Sequence, residues 1–336
     1  MQYRKLGNTD MTISAVGYGC MGLSHAFGYA MPEEDAIQRL KLAYELGYTF
    51  FDTAECYKGT FEDGSPANNE ITVGRGIKGF RDKIVLASKF GVDFGNNDFI
   101  LDSSPKHIRE SIDGTLKRLG TDYLDLYYQH RVDPKTEPEV VAETMKELIK
   151  EGKIRAWGIS AANEMMSFAE AEDYIRRAHA VCPVSAVENI YSMIDRATEA
   201  DFGYLEELGI TLVAYTPLAK GFLTGAFTEK PTFDNPEDGR GGRIQFSEEG
   251  FNTYKAALDL IKSKAEEKGA TAAQISLAWM MCKKPWICPI PGTRTPSRMK
   301  ENADASEIYL SAAEVAELDA ALNKLNLADT SAQWRK

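Results

Sequence analysis

Four side chains form a set that could reduce a carbonyl group: Asp52, Tyr57, Lys89 and His130. A tyrosine hydroxyl titrates near pH ~10 on its own, too high to exchange its proton readily at neutral pH. A nearby ammonium favours the phenolate and lowers that value. Asp52 could pair with Lys89 and hold it beside Tyr57, while His130 could orient or polarise a carbonyl oxygen. A tyrosine donor next to a cation suits carbonyl reduction, in which hydride goes to carbon and a proton to oxygen. The chain itself supplies no hydride, so this chemistry requires a nicotinamide. Each residue taken singly has a plainer reading: an Asp at a strand end caps a helix or turns the chain, and a Lys at a strand exit is a solvated tip.

The elements that would bring the four together are legible as an alternation. A hairpin around Gly7-Asn8 comes first, and Ala15 to Gly19 reads as a short strand. Further apolar runs read as strands at Thr49 to Asp52, Lys83 to Lys89, Tyr123 to Gln129, Ile154 to Ser160, Ser185 to Glu188, Ile210 to Thr216 and Trp286 to Ile290. Helical spacing fills the intervals: Glu33 to Leu46, Glu70 to Ile77, Ser104 to Leu119, Pro138 to Lys150, Asn163 to Ala180, Ala197 to Leu208, then Gly250 to Lys268 and Ala272 to Cys282. Two helices, Ser297 to Ala303 and Ala312 to Leu322, follow the last strand.

Apolar strands separated by amphipathic helices imply parallel pairing with both faces covered. Eight such units in roughly 250 residues or more fit an α/β (β/α)8 TIM barrel, here with an N-terminal β-hairpin and extra C-terminal helices. A doubly wound sheet would need fewer strands or a second domain, and no linker is visible. The reading is a single domain over residues 1–336. In such a barrel the strand exits share one mouth. That would gather Gly19-Cys20-Met21, Asp52, Lys89, His130, Ser160, Glu188, Tyr215-Thr216 and Pro291-Gly292.

Composition narrows the function classes. A formal net charge of −11 argues against a general nucleic-acid or anionic-membrane binder, though it leaves room for a local phosphate pocket. The five cysteines are odd in number and lack Cys-x-x-Cys spacing, which argues against a disulfide framework or a zinc site and fits a reducing cytoplasm. The start, Met1 to Lys5, has no apolar run behind it, and no apolar run approaches the roughly 20 residues of a membrane span. The expected partner is a small-molecule carbonyl substrate, with no nucleic acid and no membrane. The expected assembly is a monomer or a weak homo-oligomer.

Several motifs in fixed order then carry a resemblance. Phe51 to Tyr57 reads FDTAECY, Leu86 to Lys89 reads LASK, and Leu119 to His130 reads LGTDYLDLYYQH. Glu151 to Ser160 reads EGKIRAWGIS, Ala214 to Leu223 reads AYTPLAKGFL, and Ile290 to Thr295 reads IPGTRT. The chain resembles the aldo-keto reductase family over nearly its whole length, in the wording of its bacterial, plant and yeast branch. The resemblance implies Tyr57 as general acid, Lys89 as the residue that tunes it, Asp52 as the partner of Lys89, and His130 as the substrate-orienting group. It implies NADPH as cofactor. Ser160 would bond the nicotinamide carboxamide and Tyr215 would stack on its ring, beside the backbone of Cys20 and Met21 and the carboxyl of Asp52. Thr216, Pro217, Leu218, Gly221 and Leu223 would run under the pyrophosphate. Gly292, Thr293, Arg294 and Arg298 would hold the adenosine 2′-phosphate, with Glu301 and Asn302 at the adenine. Two arginines at a helix start make an anion site, which favours NADPH over NADH.

The chain departs from the family pattern twice. Ala161-Ala162 separate Ser160 from Asn163, and Glu188 stands where the family usually has Gln. A carboxylate accepts from an amide NH2 but cannot donate to its carbonyl unless protonated. Gly17 to Gly22 matches Gly-x-Gly-x-x-Gly, but a loop rather than a helix follows, so it is no Rossmann fingerprint. The basic stretch Gly239 to Arg243, with Arg243 at its end, reads equally as a solvated loop or as a lid over the pyrophosphate. His25, His107 and His179 read as surface or packing residues, and Cys56 as a small packing residue. Phe27, Arg131 and Tyr191 are candidate substrate contacts. The rival reading is a cofactor-binding regulatory subunit with little turnover. A metal-dependent hydrolase barrel would need more His and Asp ligands at strand ends.

Overall fold

The computed structural model describes residues 1–94, 99–325 and 327. Eight parallel strands run in sequence order around one sheet: Tyr18–Gly19, Phe50–Asp52, Val85–Phe90, Leu124–Gln129, Ile154–Ser160, Ala186–Ile190, Thr211–Tyr215 and Ile287–Pro289. Gly17 donates its N–H to Pro289 O at 2.9 Å, and Gly19 donates to Pro291 O at 3.4 Å, which carries the eighth strand round to the first. The chain is thus a (β/α)8 barrel, as expected. Closure depends on two glycines: a Cβ on Gly19 would sit 2.7 Å from Ile290 O, and one on Gly292 would sit 2.7 Å from Gly19 O.

Each strand alternates its side chains between two cores, the period of two that strand geometry imposes. Phe50, Val85, Ala87, Leu126, Tyr128, Ala156, Ala186, Val213 and Cys288 fill the barrel interior. Their neighbours, such as Phe51, Leu86, Tyr127, Trp157, Val187 and Leu212, face the surrounding helices. The hairpin of Tyr3–Lys5 and Thr12–Ser14 plugs the bottom, with Leu6, Met11 and Ile13 packed into the interior cluster.

Most helices begin and end where their caps stand. Ser104, Ser247, Thr271 and Ser311 accept from the first turn of their helices, and Gly120, Gly209 and Gly269 end helices in the left-handed conformation. The expected helix from Asn163 to Ala180 is two pieces, Ala162–Met165 and Phe168–Val181. Ser167 and Glu170 form a capping box that starts the second piece, so the chain turns at Met166. Two short hairpins on the mouth side were not anticipated: Lys58–Thr60 with Pro66–Asn68, and Val92–Phe94 with Phe99–Leu101. Asp63-Gly64 at the tip of the first, with Gly64 at φ +84°, is the turn signal that marks it.

Candidate active site

The strand period decides which polar residues reach the mouth. Phe50 faces the interior, so Asp52 does too; Val85 and Ala87 face inward, so Lys89 follows them. The same phase brings Ser160 above Ala156 and Glu188 above Ala186, and Tyr215 packs against the interior cluster above Val213. Gly158 makes room beneath them, since a Cβ there would lie 2.5 Å from the Tyr128 ring.

Lys89 is the centre of the cluster and wholly buried. Its ammonium pairs with Asp52 Oδ1, donates to Thr53 O at 3.0 Å and to Tyr57 Oη at 3.2 Å, and lies 3.4 Å from Glu188 Oε1. The His130 ring meets the Tyr57 ring edge-on, with centroids 5.8 Å apart. Asp52, Tyr57, Lys89 and His130 therefore do meet at one place.

The electrostatics differ in one respect from the expectation. Burial raises the proton affinity of Tyr57, Lys89 opposes it, and the Asp52 and Glu188 carboxyls add to it; the net displacement is upward. Tyr57 is thus a phenol at neutral pH, with the Lys89 ammonium beside its hydroxyl. Burial alone would lower the proton affinity of Lys89, but Asp52 and Glu188 more than reverse this, and the ammonium is kept. His130 is held neutral by burial and by the charges of Lys89 and Arg131. Burial raises the Asp52 carboxyl against the pull of Lys89. Glu188 is pushed up to about 8, by burial first and by Asp52 second.

Several neighbours escaped the sequence reading. Cys56 places its thiol 3.3 Å from His130 Nδ1, and burial pushes that thiol up to about 12, so it keeps an S–H that can donate to Nδ1. In the tautomer in which Nδ1 accepts that S–H, His130 carries its proton on Nε2 and presents a donor. His25 is no bystander: its ring stacks on Tyr57 at 5.9 Å while Nδ1 bonds Lys58 O. Asn69 ties the first two loops together, donating to Cys20 O and Ser24 Oγ and accepting from Thr53 Oγ1. Glu164 bonds the Tyr215 hydroxyl and lies 3.6 Å from Arg131. Only its place soon after a strand exit could have flagged it. Tyr191, a candidate substrate contact, is instead a core residue: it stacks on Trp279 and bonds Glu199. Glu55 turns away to bond Gly91 N.

Of the residues expected at a cofactor, Asp52 and Glu188 lie in the Lys89 cluster and Cys20 donates its N–H to Asp52 O, while most of the others stand at or after the ends of the fifth, seventh and eighth strands. Ser160 is buried, and its Oγ has no partner among the described residues. After the seventh strand the backbone takes positive φ at Thr216, Ala219, Lys220 and Gly221, an uncommon run for non-glycine residues. The Pro217-Leu218 and Leu223 positions belong to this turn, where Gly221 N and Leu223 N both donate to Leu218 O. The 239–243 stretch is tied across to the first loop: Gly239 N donates to Ala26 O, and the Arg240 guanidinium lies over the Phe27 and Phe233 rings. Arg294 spends its guanidinium on Gly22 O and Tyr29 O, which leaves Nη2 buried without a partner among the described residues. Thr293 O accepts from the Tyr18 hydroxyl. Arg298 is exposed on the helix Pro296–Asp304, Asn302 is buried, and Glu301 O accepts from Gln274. Among the described residues no group of three His, Cys, Asp or Glu side chains could hold a metal ion, and no helix is long and apolar enough to cross a membrane.

The chain is similar in sequence and fold to known proteins. A probable aldo-keto reductase of Glycine max is 36% identical over 319 residues, 94% of this chain and 87% of the relative. The structure of a glycerol dehydrogenase from Gluconobacter oxydans superposes with a TM-score of 0.83 at 26% identity, covering 97% of this chain and 96% of the other. An aldo-keto reductase from Bacillus halodurans in its holo form gives a TM-score of 0.75 at 26% identity, with both chains covered in full. The sequence model of the Aldo/keto reductase family matches residues 15–323. With a barrel whose mouth gathers Asp52, Tyr57, Lys89 and His130, and with that match across almost all of its length, the chain belongs to the aldo/keto reductase family.

Proposed function

We propose that the chain is an NADPH-dependent oxidoreductase that reduces a small aldehyde or ketone to an alcohol, with Tyr57 as proton donor. The observation that carries this reading is the buried Lys89 ammonium 3.2 Å from a Tyr57 hydroxyl that remains protonated. The neutral His130, with its proton on Nε2, offers a hydrogen bond to the carbonyl oxygen and so orients it toward the Tyr57 hydroxyl. Tyr57 then gives its proton to that oxygen, and the phenolate it becomes lies against Lys89.

Residues at and after the ends of the fifth, seventh and eighth strands fit the nicotinamide cofactor. It would supply the hydride. The unpartnered Ser160 hydroxyl and the Tyr215 ring suit the nicotinamide end. The backbone turn from Thr216 to Gly221 and the Lys220 and Arg243 side chains suit the pyrophosphate. Burial, with Arg243 adding to it, lowers Lys220 to about 8, and an incoming anion would raise it again. Arg298, exposed on the helix Pro296–Asp304, supports a 2′-phosphate and hence NADPH.

The test is NADPH oxidation with a panel of aldehydes, ketones and sugars, run on wild type and Tyr57→Phe. The variant is expected to bind NADPH with wild-type affinity, read by fluorescence, and to lose turnover by about two orders of magnitude or more. Wild-type-like reduction by Tyr57→Phe would remove Tyr57 from this role. Tight NADPH binding without turnover on any carbonyl would favour a regulatory subunit instead.

A further inference from the structure

The barrel mouth holds one carboxyl more than its cation can satisfy. Lys89 faces both Asp52 and Glu188, and both carboxyls are almost wholly buried. Each keeps one oxygen, Asp52 Oδ2 and Glu188 Oε2, without a donor among the described residues. The two carboxyls meet at the same ammonium, Asp52 Oδ1 paired with it and Glu188 Oε1 3.4 Å from it, which brings them together. Two ionised carboxylates cannot bond one another, whereas a carboxylic acid can donate to a carboxylate. One proton therefore satisfies both orphaned oxygens and makes the cluster neutral: one ammonium, one carboxylate, one acid.

The rest of the surroundings leaves that proton little competition. Asp52 and Lys89 face Glu188 from the second and third strands, and Arg131 faces it from beyond the fourth. Tyr57 and Tyr128 feel its charge, from the loop after the second strand and from the fourth strand. Ser160 lies in register with it on the fifth strand, and the apolar Val213 on the seventh. Arg131 is already engaged with Glu164. Lys89, held by Asp52, is thus the near cation. Between the two acids, Asp52 is the one in direct contact with the ammonium, so the proton belongs on Glu188.

We propose that Glu188 is a positioning residue that carries a proton at neutral pH, donates it as a hydrogen bond to Asp52, and so leaves Lys89 a single carboxylate to neutralise beside Tyr57. In this form Glu188 also offers what a glutamine would, a donor and an acceptor in one side chain. When the proton leaves for solvent at alkaline pH, a second negative charge appears beside Tyr57. The phenol becomes a weaker acid and donates less readily. This consequence for turnover rests on the reductase reading; the protonation itself does not.

The test is therefore made first without cofactor or substrate. Infrared spectra of the folded protein across neutral to alkaline pH are expected to show a protonated-carboxyl C=O stretch that vanishes as pH rises through about 8. The stretch should shift when glutamate is carboxyl-labelled, stay in place when aspartate is labelled, and be missing from E188Q. Should E188Q not fold, D52N carries the test: without the neighbouring carboxylate the glutamate stretch should vanish at a lower pH. No titrating stretch at neutral pH, one that follows the aspartate label, or one unmoved in both variants overturns the proposal. In turnover, the alkaline fall in kcat for carbonyl reduction should be lost in E188Q while the fall in wild type tracks the infrared titration. Superimposable kcat profiles refute the link to Tyr57.

Discussion

Glu188→Gln should make the protein more stable than wild type, and increasingly so as pH rises. The reason is linkage. Folding raises the Glu188 titration to about 8 from an ordinary glutamate value of 4.5. Between those values the folded state holds a proton that the unfolded state has released, so wild-type stability falls with rising pH. The stabilising share is complete below the unfolded value and gone once pH passes the folded one. The slope is ~1.4 kcal/mol per pH unit while the folded acid stays protonated and the unfolded one does not. From about pH 6 to about pH 9 the wild type should therefore lose ~2.5 kcal/mol that Gln, with no proton to lose, retains. Glutamine fills nearly the same volume and can bond Asp52 through its NH2, so little is lost in packing. Urea unfolding of both proteins at several pH values gives the difference directly. A gap that stays constant across that range, or narrows toward alkaline pH, would refute the reasoning, because it would mean that Glu188 in the folded protein is already ionised at the acidic end of that range.

Other expectations follow from contacts elsewhere in the mouth. Cys56→Ala removes the donor to His130 Nδ1 and frees the ring tautomer, so kcat for reduction should fall roughly threefold to tenfold, the value of one hydrogen bond, with NADPH affinity unchanged; an unaltered kcat would show that the thiol does not fix the ring. Gly292→Ala would drive a methyl group to 2.7 Å from Gly19 O, between backbones that close the barrel, and should lower stability by ~1–3 kcal/mol in urea unfolding. A wild-type midpoint for that variant would mean that the closure can open without cost.

The barrel itself was legible because its signals are repeated and local. Apolar runs of strand length, amphipathic intervals and Gly or Ser caps recur around the chain, and an error at one boundary leaves the count intact. Thus the real start of the third strand at Val85 rather than Lys83 changes nothing at its exit, where Lys89 stands. What escaped is of another kind. Ser167 interrupts an interval whose apolar spacing continues straight through it, so a cap hidden inside a periodic run reads as one long helix. Tyr191 follows a strand exit as an active-site residue would, yet its ring finds Trp279 on a helix far along the chain. No local pattern encodes that contact. His25 and Cys56 likewise have no signature of their own, because their roles come from lying against Tyr57 and His130 across loops.

Glu188 shows where sequence reasoning reaches furthest and then stops. The substitution of Glu for Gln was visible, and so was the condition under which a carboxyl could serve, namely that it be protonated. Whether the condition holds is a property of the surroundings. A lone buried carboxyl beside Lys89 would ionise and pair with it, just as Asp52 does. The second carboxyl changes the outcome, since one buried cation neutralises one anion and the remaining acid keeps its proton. The strand phase that lifts Asp52 and Lys89 into the mouth is the same phase that lifts Glu188 beside them. A buried lysine between two acids is thus a consequence of alternation along three strands, and the proton on Glu188 follows from that placement rather than from the type of any one residue.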